Sequence, residues 1–213
     1  MQKKPLILAL LAGIALSGAA QATLMDRGGG LIYDNDINIT WLSNANVNGT
    51  MNWAAANAWA AGLSYGGYSD WRLPTTLQPD ASCSDQSYGS KGNNCTGSEM
   101  GHLFYSELGG TAGQSILISG DSDLDLFQNI QSNVYWSATE YALNPAGAWS
   151  FYMSAGFQYP FSKDIELYAW AVRPGDVAAA ALPPGNNVPE PATLLLLGLG
   201  LAGLGAMRRR KAA

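Results

Sequence analysis

The chain has 213 residues, with 11 Lys and Arg, 16 Asp and Glu, and a single His. Six of the cations lie near the two ends, so residues 23–190 hold five cations against 16 acids and carry a net charge of −11. Such an acidic body repels nucleic acid and anionic membranes, which excludes both as partners of the folded part. Seven Trp and ten Tyr indicate a packed fold rather than a disordered chain.

The first 22 residues have the three parts of a secretory signal. Lys3 and Lys4 are followed by an apolar run over residues 6–16 and by the small-residue pattern Ala20-Gln21-Ala22. This order is typical of a signal peptide, so signal peptidase is expected to release a mature chain that begins at Thr23. The body of the protein is therefore predicted to lie outside the cytoplasm.

Two short strands are predicted to open the body. Residues 31–34 form the first, and after a turn Ile37, Ile39 and Trp41 alternate with polar residues. Alternation of this kind predicts a second strand with one buried face.

Two helices are predicted between the strands of the front and those of the last third. The Ala-rich stretch over residues 52–63 has helical spacing, with Asn48 or Thr50 as its cap. Residues 98–108 follow the same period and contain the only histidine, His102. With one histidine and no Gly-x-Ser-x-Gly elbow, the sequence predicts no catalytic triad, and a satisfied imidazole is the favoured interpretation.

Cys83 and Cys95 are the only cysteines. In an exported chain they are expected to form a disulfide, which closes a loop rich in Gly, Ser and Asn. A redox-active or metal-bound pair is the alternative, but no Cys-x-x-Cys spacing and no neighbouring His accompany it.

The last third is predicted to be strands. Ser154-Ala155-Gly156 suits a hairpin turn, and Pro160 marks an edge or the end of a strand. The predicted strands cover residues 135–140, 148–153, 157–161 and 165–173. Together these patterns predict a single α+β domain over residues 23–176, with two helices and a small antiparallel sheet.

The chain ends in three parts that follow a Pro- and Gly-rich linker over residues 177–187. A Pro-flanked acid comes first, an uncharged apolar run over residues 192–207 forms a predicted transmembrane helix of roughly 24 Å, and a basic cluster closes it. The motif residues are Val188, Pro189, Glu190, Pro191, Arg208, Arg209 and Arg210. This order resembles the PEP-CTERM sorting signal of bacterial exported proteins. The resemblance implies cleavage near the Pro-Glu-Pro by an exosortase, a membrane cysteine protease-transpeptidase, so the helix is a transient inner-membrane anchor.

Three segments of the body carry a second resemblance: Gly-Gly-Tyr-Ser-Asp-Trp-Arg-Leu-Pro-Thr at 66–75, Tyr-Trp-Ser-Ala-Thr-Glu-Tyr at 135–141 and Val-Arg-Pro at 172–174. They resemble the Lcl C-terminal domain family over roughly residues 32–175. The family includes the C-terminal domain of a collagen-like surface adhesin that binds glycosaminoglycans. It also looks distantly like the C-type-lectin-related fold of the formylglycine-generating enzymes. Those enzymes bind copper through cysteines near their C-terminus, so the mid-chain pair here does not carry that activity.

The arginines of these motifs have two interpretations. Arg72 and Arg173 are favoured as structural ion-pair or hydrogen-bond partners. The alternative makes one of them a clamp for an anionic ligand group.

Acidic residues offer two further candidates. Asp121, Asp123 and Asp125 place three carboxylates within five residues, but the loop lacks the Gly and Glu of an EF-hand, so calcium is only a weak candidate and a solvated acidic loop is favoured. Asp34, Asp36 and Asn38 fail the same test. A glycosidase pair would have to combine Glu140 with Asp164 or Glu166, residues whose separation the sequence does not give.

Aromatic residues are the better indication of function. Many crowd into the C-terminal strands, where alternation sends half of them into the core and leaves the others to stack against sugar rings. The candidate ligand-binding aromatics are Trp136, Trp149, Tyr159 and Trp170. The sequence therefore predicts a non-catalytic protein of the cell surface or extracellular matrix with an adhesive, glycan-binding or structural role, and exopolysaccharide as the partner. The alternatives are an extracellular enzyme acting on polysaccharide and an inert body carried by its sorting signal.

Overall fold

The computed structural model describes residues 24–177. The predicted signal peptide, nearly all of the predicted linker and the predicted transmembrane helix over 192–207 lie outside these residues. Within residues 24–177, no helix is both long and apolar enough to cross a membrane.

Two sheets and two short helices form the described part of the chain, which confirms the α+β class and corrects the prediction of one sheet. The helices are α1 (Trp53–Ala61) and α2 (Glu99–His102); a π-helical turn (Leu103–Glu107) and two 3₁₀ helices (Ile116–Ile118 and Ser122–Leu126) follow. The strands are β1 (Leu24–Asp26), β2 (Leu31–Asp34), β3 (Ile39–Leu42), β4 (Thr50–Met51), β5 (Gly92–Asn93), β6 (Val134–Glu140), β7 (Gly147–Tyr152), β8 (Phe157–Ser162), β9 (Leu167–Tyr168) and β10 (Val172–Pro174). The smaller sheet has the order β1-β2-β3-β10, and the larger has the order β4-β9-β6-β7-β8-β5.

The predicted hairpin at the front forms the centre of the smaller sheet. Asn38 makes its turn with a φ of 54°, a left-handed conformation that Asn tolerates better than most residues. The prediction of one buried face is wrong for β3, because all four of its residues are buried. Thr40 is accommodated there since its hydroxyl donates to the Gly175 carbonyl at 2.8 Å.

The larger sheet is built on the antiparallel hairpin of β7 and β8. Gly156 takes a φ of 63° in the turn, as its position in the sequence predicts. β5 pairs only with Phe157 and Gln158. Pro160 therefore lies on the half of β8 that has no outer neighbour strand among residues 24–177, which confirms the edge prediction. The sheet is not wholly antiparallel, because β6 and β9 pair in parallel.

Residues 165–173 do not form one strand. They divide into β9, which belongs to the larger sheet, and the start of β10, which belongs to the smaller one. Residues 169–173 are all buried, so the alternation in their sequence does not separate a core face from a solvent face. This crossing segment ties the two sheets together, and Trp170 within it packs against Trp41 and Phe127 at centroid distances of 5.1 and 5.2 Å.

The cap of α1 differs from the prediction, whereas α2 begins after Ser98, as predicted, but is shorter. The cap of α1 is Asn52, whose Oδ1 accepts from the Ala55 N–H at 2.9 Å, because Thr50 is already part of β4. Ser98 precedes α2, but its hydroxyl accepts from the Leu77 N–H at 3.0 Å and makes no cap bond. The predicted helix over 98–108 is therefore a single α-helical turn that continues as a π-helical turn.

Candidate functional site

Aromatic side chains form a row on one face of the β7–β8 hairpin. Phe157, Tyr159 and Phe161 alternate with the buried Gln158, so they share a side of β8. Ring centroids are 6.1 Å apart for the first pair and 5.9 Å apart for the second. Tyr152 of β7 extends the row, with its ring 5.9 Å from Phe157 and 5.8 Å from Phe161. Tyr159 is 40% exposed, whereas the other three rings are half-buried.

A groove with a volume of about 230 Å³ opens beside the free half of β8. Three segments form its walls: β8 itself, the connection between β6 and β7, and the disulfide loop. The lining residues are Lys91, Tyr141, Asn144, Ala146, Gly147, Tyr159, Pro160, Phe161 and Ser162. The groove exists because β5 ends after two residues and leaves the outer side of β8 open beyond it.

The disulfide loop places a cation beside the aromatic row. Cys83 and Cys95 form the predicted disulfide. Gln158 of β8 donates its Nε2–H to the carbonyl of Ser90 in this loop at 2.8 Å, and this bond fixes the loop backbone next to Lys91. Nζ of Lys91 lies 5.8 Å from the ring centroid of Tyr159 and 3.5 Å from a carboxylate oxygen of Asp85. The ammonium group therefore sits at the edge of the groove with an aromatic face beneath it.

Tyr141 links two walls of the groove, the β6–β7 connection and the disulfide loop. Its hydroxyl donates to the Tyr88 carbonyl of the disulfide loop at 2.9 Å. Its ring meets Trp149 edge to face at a centroid distance of 5.4 Å. The β6–β7 connection is thus tied to the disulfide loop across the buried Trp149.

The groove offers apolar ring faces next to a cation, hydroxyls and an amide. A sugar ring needs this combination, because its C–H face packs on an aromatic ring while its hydroxyls seek polar partners. Glu140, Asp164 and Glu166 do not line the groove within the described residues. Glu140 instead accepts from the Lys163 ammonium group at 2.8 Å.

The structure places three of the predicted ligand-binding aromatics in the core. Trp136 and Trp170 are fully buried and Trp149 is 2% exposed, so none of them offers a ring face to a ligand, which corrects the prediction. Two of the indoles donate to backbone carbonyls, Trp136 to Met51 at 2.9 Å and Trp170 to Leu42 at 2.6 Å. Of the four aromatics predicted to bind a ligand, Tyr159 alone lies in the groove.

Both predicted arginines make paired contacts with carboxylates. Arg72 contacts both oxygens of Glu99, at 2.7 and 2.6 Å, and Glu99 also accepts from the Thr75 N–H. Arg173 contacts both oxygens of Asp70, at 2.8 and 3.0 Å. The Arg173 guanidinium lowers the pKa of Asp70. These bidentate pairs favour the structural interpretation of the two arginines over the ligand clamp.

The arginines of these two ion pairs lie in motifs that fall within the match to a known family model. The Lcl C-terminal domain model matches residues 30–173. The chain belongs to the Lcl C-terminal domain family. A second model, the PEP-CTERM protein-sorting motif, matches residues 187–211. No curated protein matches the chain.

The sorting motif follows the Lcl domain in the chain and determines its destination. It implies processing by an exosortase, export and sorting to the cell surface. The predicted motif residues, Val188 to Pro191 and Arg208 to Arg210, all fall within the match, and they lie outside the described residues.

In the Lcl domain, the predicted acidic loop is a 3₁₀ helix. Asp121 caps it, accepting from the Asp123 N–H at 2.9 Å. Burial, together with the negative charges of Asp121 and Glu107, raises the pKa of Asp123. Among residues 24–177, ligand atoms converge within 4.8 Å in two other groups and not in Asp121, Asp123 and Asp125, so the structure gives this calcium candidate no support.

One of those groups contains the only histidine. Nε2 of His102 lies 3.0 Å from Oε1 of Glu107 and 3.7 Å from Oδ1 of Asp34. The two carboxylates, Asp34 first, raise the pKa of His102 to about 9 against the opposing effect of burial. The second group combines Asp80 with the two cysteines of the disulfide, whose sulfurs are bonded to each other.

Several groove residues were not predicted from the sequence. Lys91 appeared only as part of the disulfide loop, and Tyr141 only as the last residue of a family motif. Phe161 closed a predicted strand without a role. The alternation of Phe157, Tyr159 and Phe161 is the signal that could have found this surface, since it places three rings on one side of an edge strand.

Proposed function

We propose that this protein is a non-catalytic component of the cell surface or extracellular matrix whose Lcl domain binds glycan in the groove beside β8. Export and surface sorting follow from the PEP-CTERM motif. The observation that carries the binding proposal is the exposed Tyr159 ring, which lies between Phe161 and the Lys91 ammonium group.

The surroundings of the groove support binding rather than turnover. Its polar groups are an ammonium, an amide and hydroxyls, and the described residues that line it include no carboxylate. Glycoside hydrolysis ordinarily needs two carboxyl groups that flank the bond to be cleaved. A neutral or cationic polysaccharide suits an acidic body of net charge −11 better than nucleic acid does.

Replacing Tyr159 with Ala is expected to weaken glycan binding roughly tenfold. The side chain is largely outside the core, and an aromatic contact of this kind is worth about 1 to 1.5 kcal/mol. The measurement is a titration of the purified full-length chain against a panel of neutral and anionic polysaccharides, with dissociation constants obtained by calorimetry.

Tyr65→Ala is the matched control, because Tyr65 is 38% exposed, packs on Trp71 and does not line the groove. It should leave affinity unchanged. Equal losses for both variants, or no saturable binding by the unaltered chain, would rule out the groove as the binding site. Release of shortened polysaccharide would instead favour the enzyme, and substitution of Glu140, Asp164 and Glu166 in turn would then identify its acids.

A further inference from the structure

Three chemically reactive side chains meet inside the domain, away from the groove. Asp34 ends β2, His102 ends α2, and Glu107 ends the π-helical turn. The Asp34 side chain is fully buried, and the Glu107 and His102 side chains are 4% and 12% exposed. One ligand atom from each lies within 4.8 Å of the other two.

Protonation of His102 does not balance the charge of this cluster. Two carboxylates and an imidazolium leave a net charge of −1 in a buried site, which is costly. A divalent cation with a neutral imidazole brings the same group to zero. The second carboxylate oxygen of Asp34 is also buried, and it has no hydrogen-bond partner in the described part of the chain.

The contacts within the cluster are poor as hydrogen bonds. Nε2 of His102 is buried and makes no aligned hydrogen bond within residues 24–177, although carboxylate oxygens lie 3.0 and 3.7 Å away. Ligands of a tetrahedral zinc ion, at 2.0 to 2.2 Å from the metal, are separated from each other by roughly 3.3 Å. The two separations from Nε2 bracket that value, and the oxygens of Asp34 and Glu107 lie within 4.8 Å of each other.

We propose that Asp34, His102 and Glu107 bind a divalent transition-metal cation of the zinc type. One nitrogen and two carboxylate oxygens suit such a metal, whereas calcium requires six to eight oxygen ligands. The bound ion links the smaller sheet to the segment that follows α2.

The test uses the full-length chain, purified and stripped with a chelator, and titrated with zinc chloride or with calcium chloride. One zinc per chain is expected by elemental analysis, with a rise in Tm of roughly 5 to 10 °C at a hundredfold excess of zinc over its Kd. Calcium should produce neither effect. His102→Gln should weaken zinc binding by at least about 100-fold, because even partners outside the ligand shell contribute roughly 10- to 100-fold.

Asp36→Asn is the matched control, since Asp36 is an exposed acid two residues from Asp34, and it should bind zinc as the unaltered chain does. If His102→Gln fails to fold, X-ray absorption of the zinc-loaded unaltered chain should still report one nitrogen and two carboxylate oxygens at 2.0 to 2.2 Å. The proposal is overturned by a chain that binds no zinc stoichiometrically. It is also overturned by a folded His102→Gln variant with undiminished affinity, or by a zinc shell without a nitrogen ligand.

Discussion

Replacing Gly101 with Ala is expected to destabilise the domain by about 3 kcal/mol or more. Gly101 lies in α2, against the backbone of Cys95. A Cβ atom added there would collide with the carbonyl oxygen of Cys95 and lie 2.8 Å from its carbonyl carbon. Backbone atoms cannot turn aside as a side chain can, so α2 would have to move away from the segment that the disulfide holds. The expected fall in Tm is roughly 6 to 12 °C for a domain of this size.

Thermal and urea unfolding of the Gly101→Ala variant and of the unaltered chain measure this loss of stability directly. The matched control is Gly62→Ala, because Gly62 at the end of α1 has a helical backbone and an added Cβ would lie no closer than 3.2 Å to a neighbour. Its Tm should change by a few degrees at most. If Gly101→Ala unfolds at the same temperature as the unaltered chain, the close contact between α2 and Cys95 is incorrect.

Removing the disulfide by changing both Cys83 and Cys95 to Ser is expected to cost about 3 kcal/mol, since the bond closes a loop of 12 residues' separation. The loop has few apolar side chains of its own to hold it in place. The loop also carries Lys91 and the Tyr88 carbonyl that anchors Tyr141, so glycan affinity should fall together with stability.

Reductant provides the control for this variant. Dithiothreitol should lower the Tm of the unaltered chain towards that of the double variant, and it should leave the double variant unchanged. Equal affinity of the folded double variant for glycan would show that the loop does not shape the groove. A Tm that does not respond to reductant would show that the disulfide contributes little to stability.

Local patterns in the sequence were sufficient to predict much of the larger sheet. The predicted bounds of β6, β7 and β8 agree with the structure to within one residue, and Gly156 sits where a tight turn needs a positive φ. The disulfide followed from the export signals and the count of two cysteines. In each case the determining interaction lies between residues that are close in the chain or limited in number.

Longer-range packing explains the predictions that failed. Trp136 and Trp170 look like any strand aromatic, and only the helix or strand packed over each shows that it is buried. β3 is buried at all four positions, and alternation within β3 does not reveal that other parts of the chain cover both of its faces. Residues 165–173 divide between two sheets because β9 pairs with β4 and β6, whereas β10 pairs with β3.

The candidate sites depend on residues that are distant in the chain. Lys91 and Tyr159 are brought together by the pairing of β5 with β8, and neither residue has a recognisable motif. Asp34 and His102 come from different elements, and the family motif at 66–75 lies between them in the sequence. The sequence alone could identify each residue type, but it could not predict these encounters.

The central claim is that the groove beside β8 is the glycan-binding surface of an exported protein. The most direct test is to map amide chemical-shift changes by NMR while the full-length chain is titrated with an oligosaccharide from the polysaccharide that it binds. The predicted result is a set of changes centred on Lys91, Tyr141, Tyr159 and Ser162, with saturation at the calorimetric Kd. Saturable changes centred elsewhere on the domain would contradict the claim, and so would the absence of changes at these four residues.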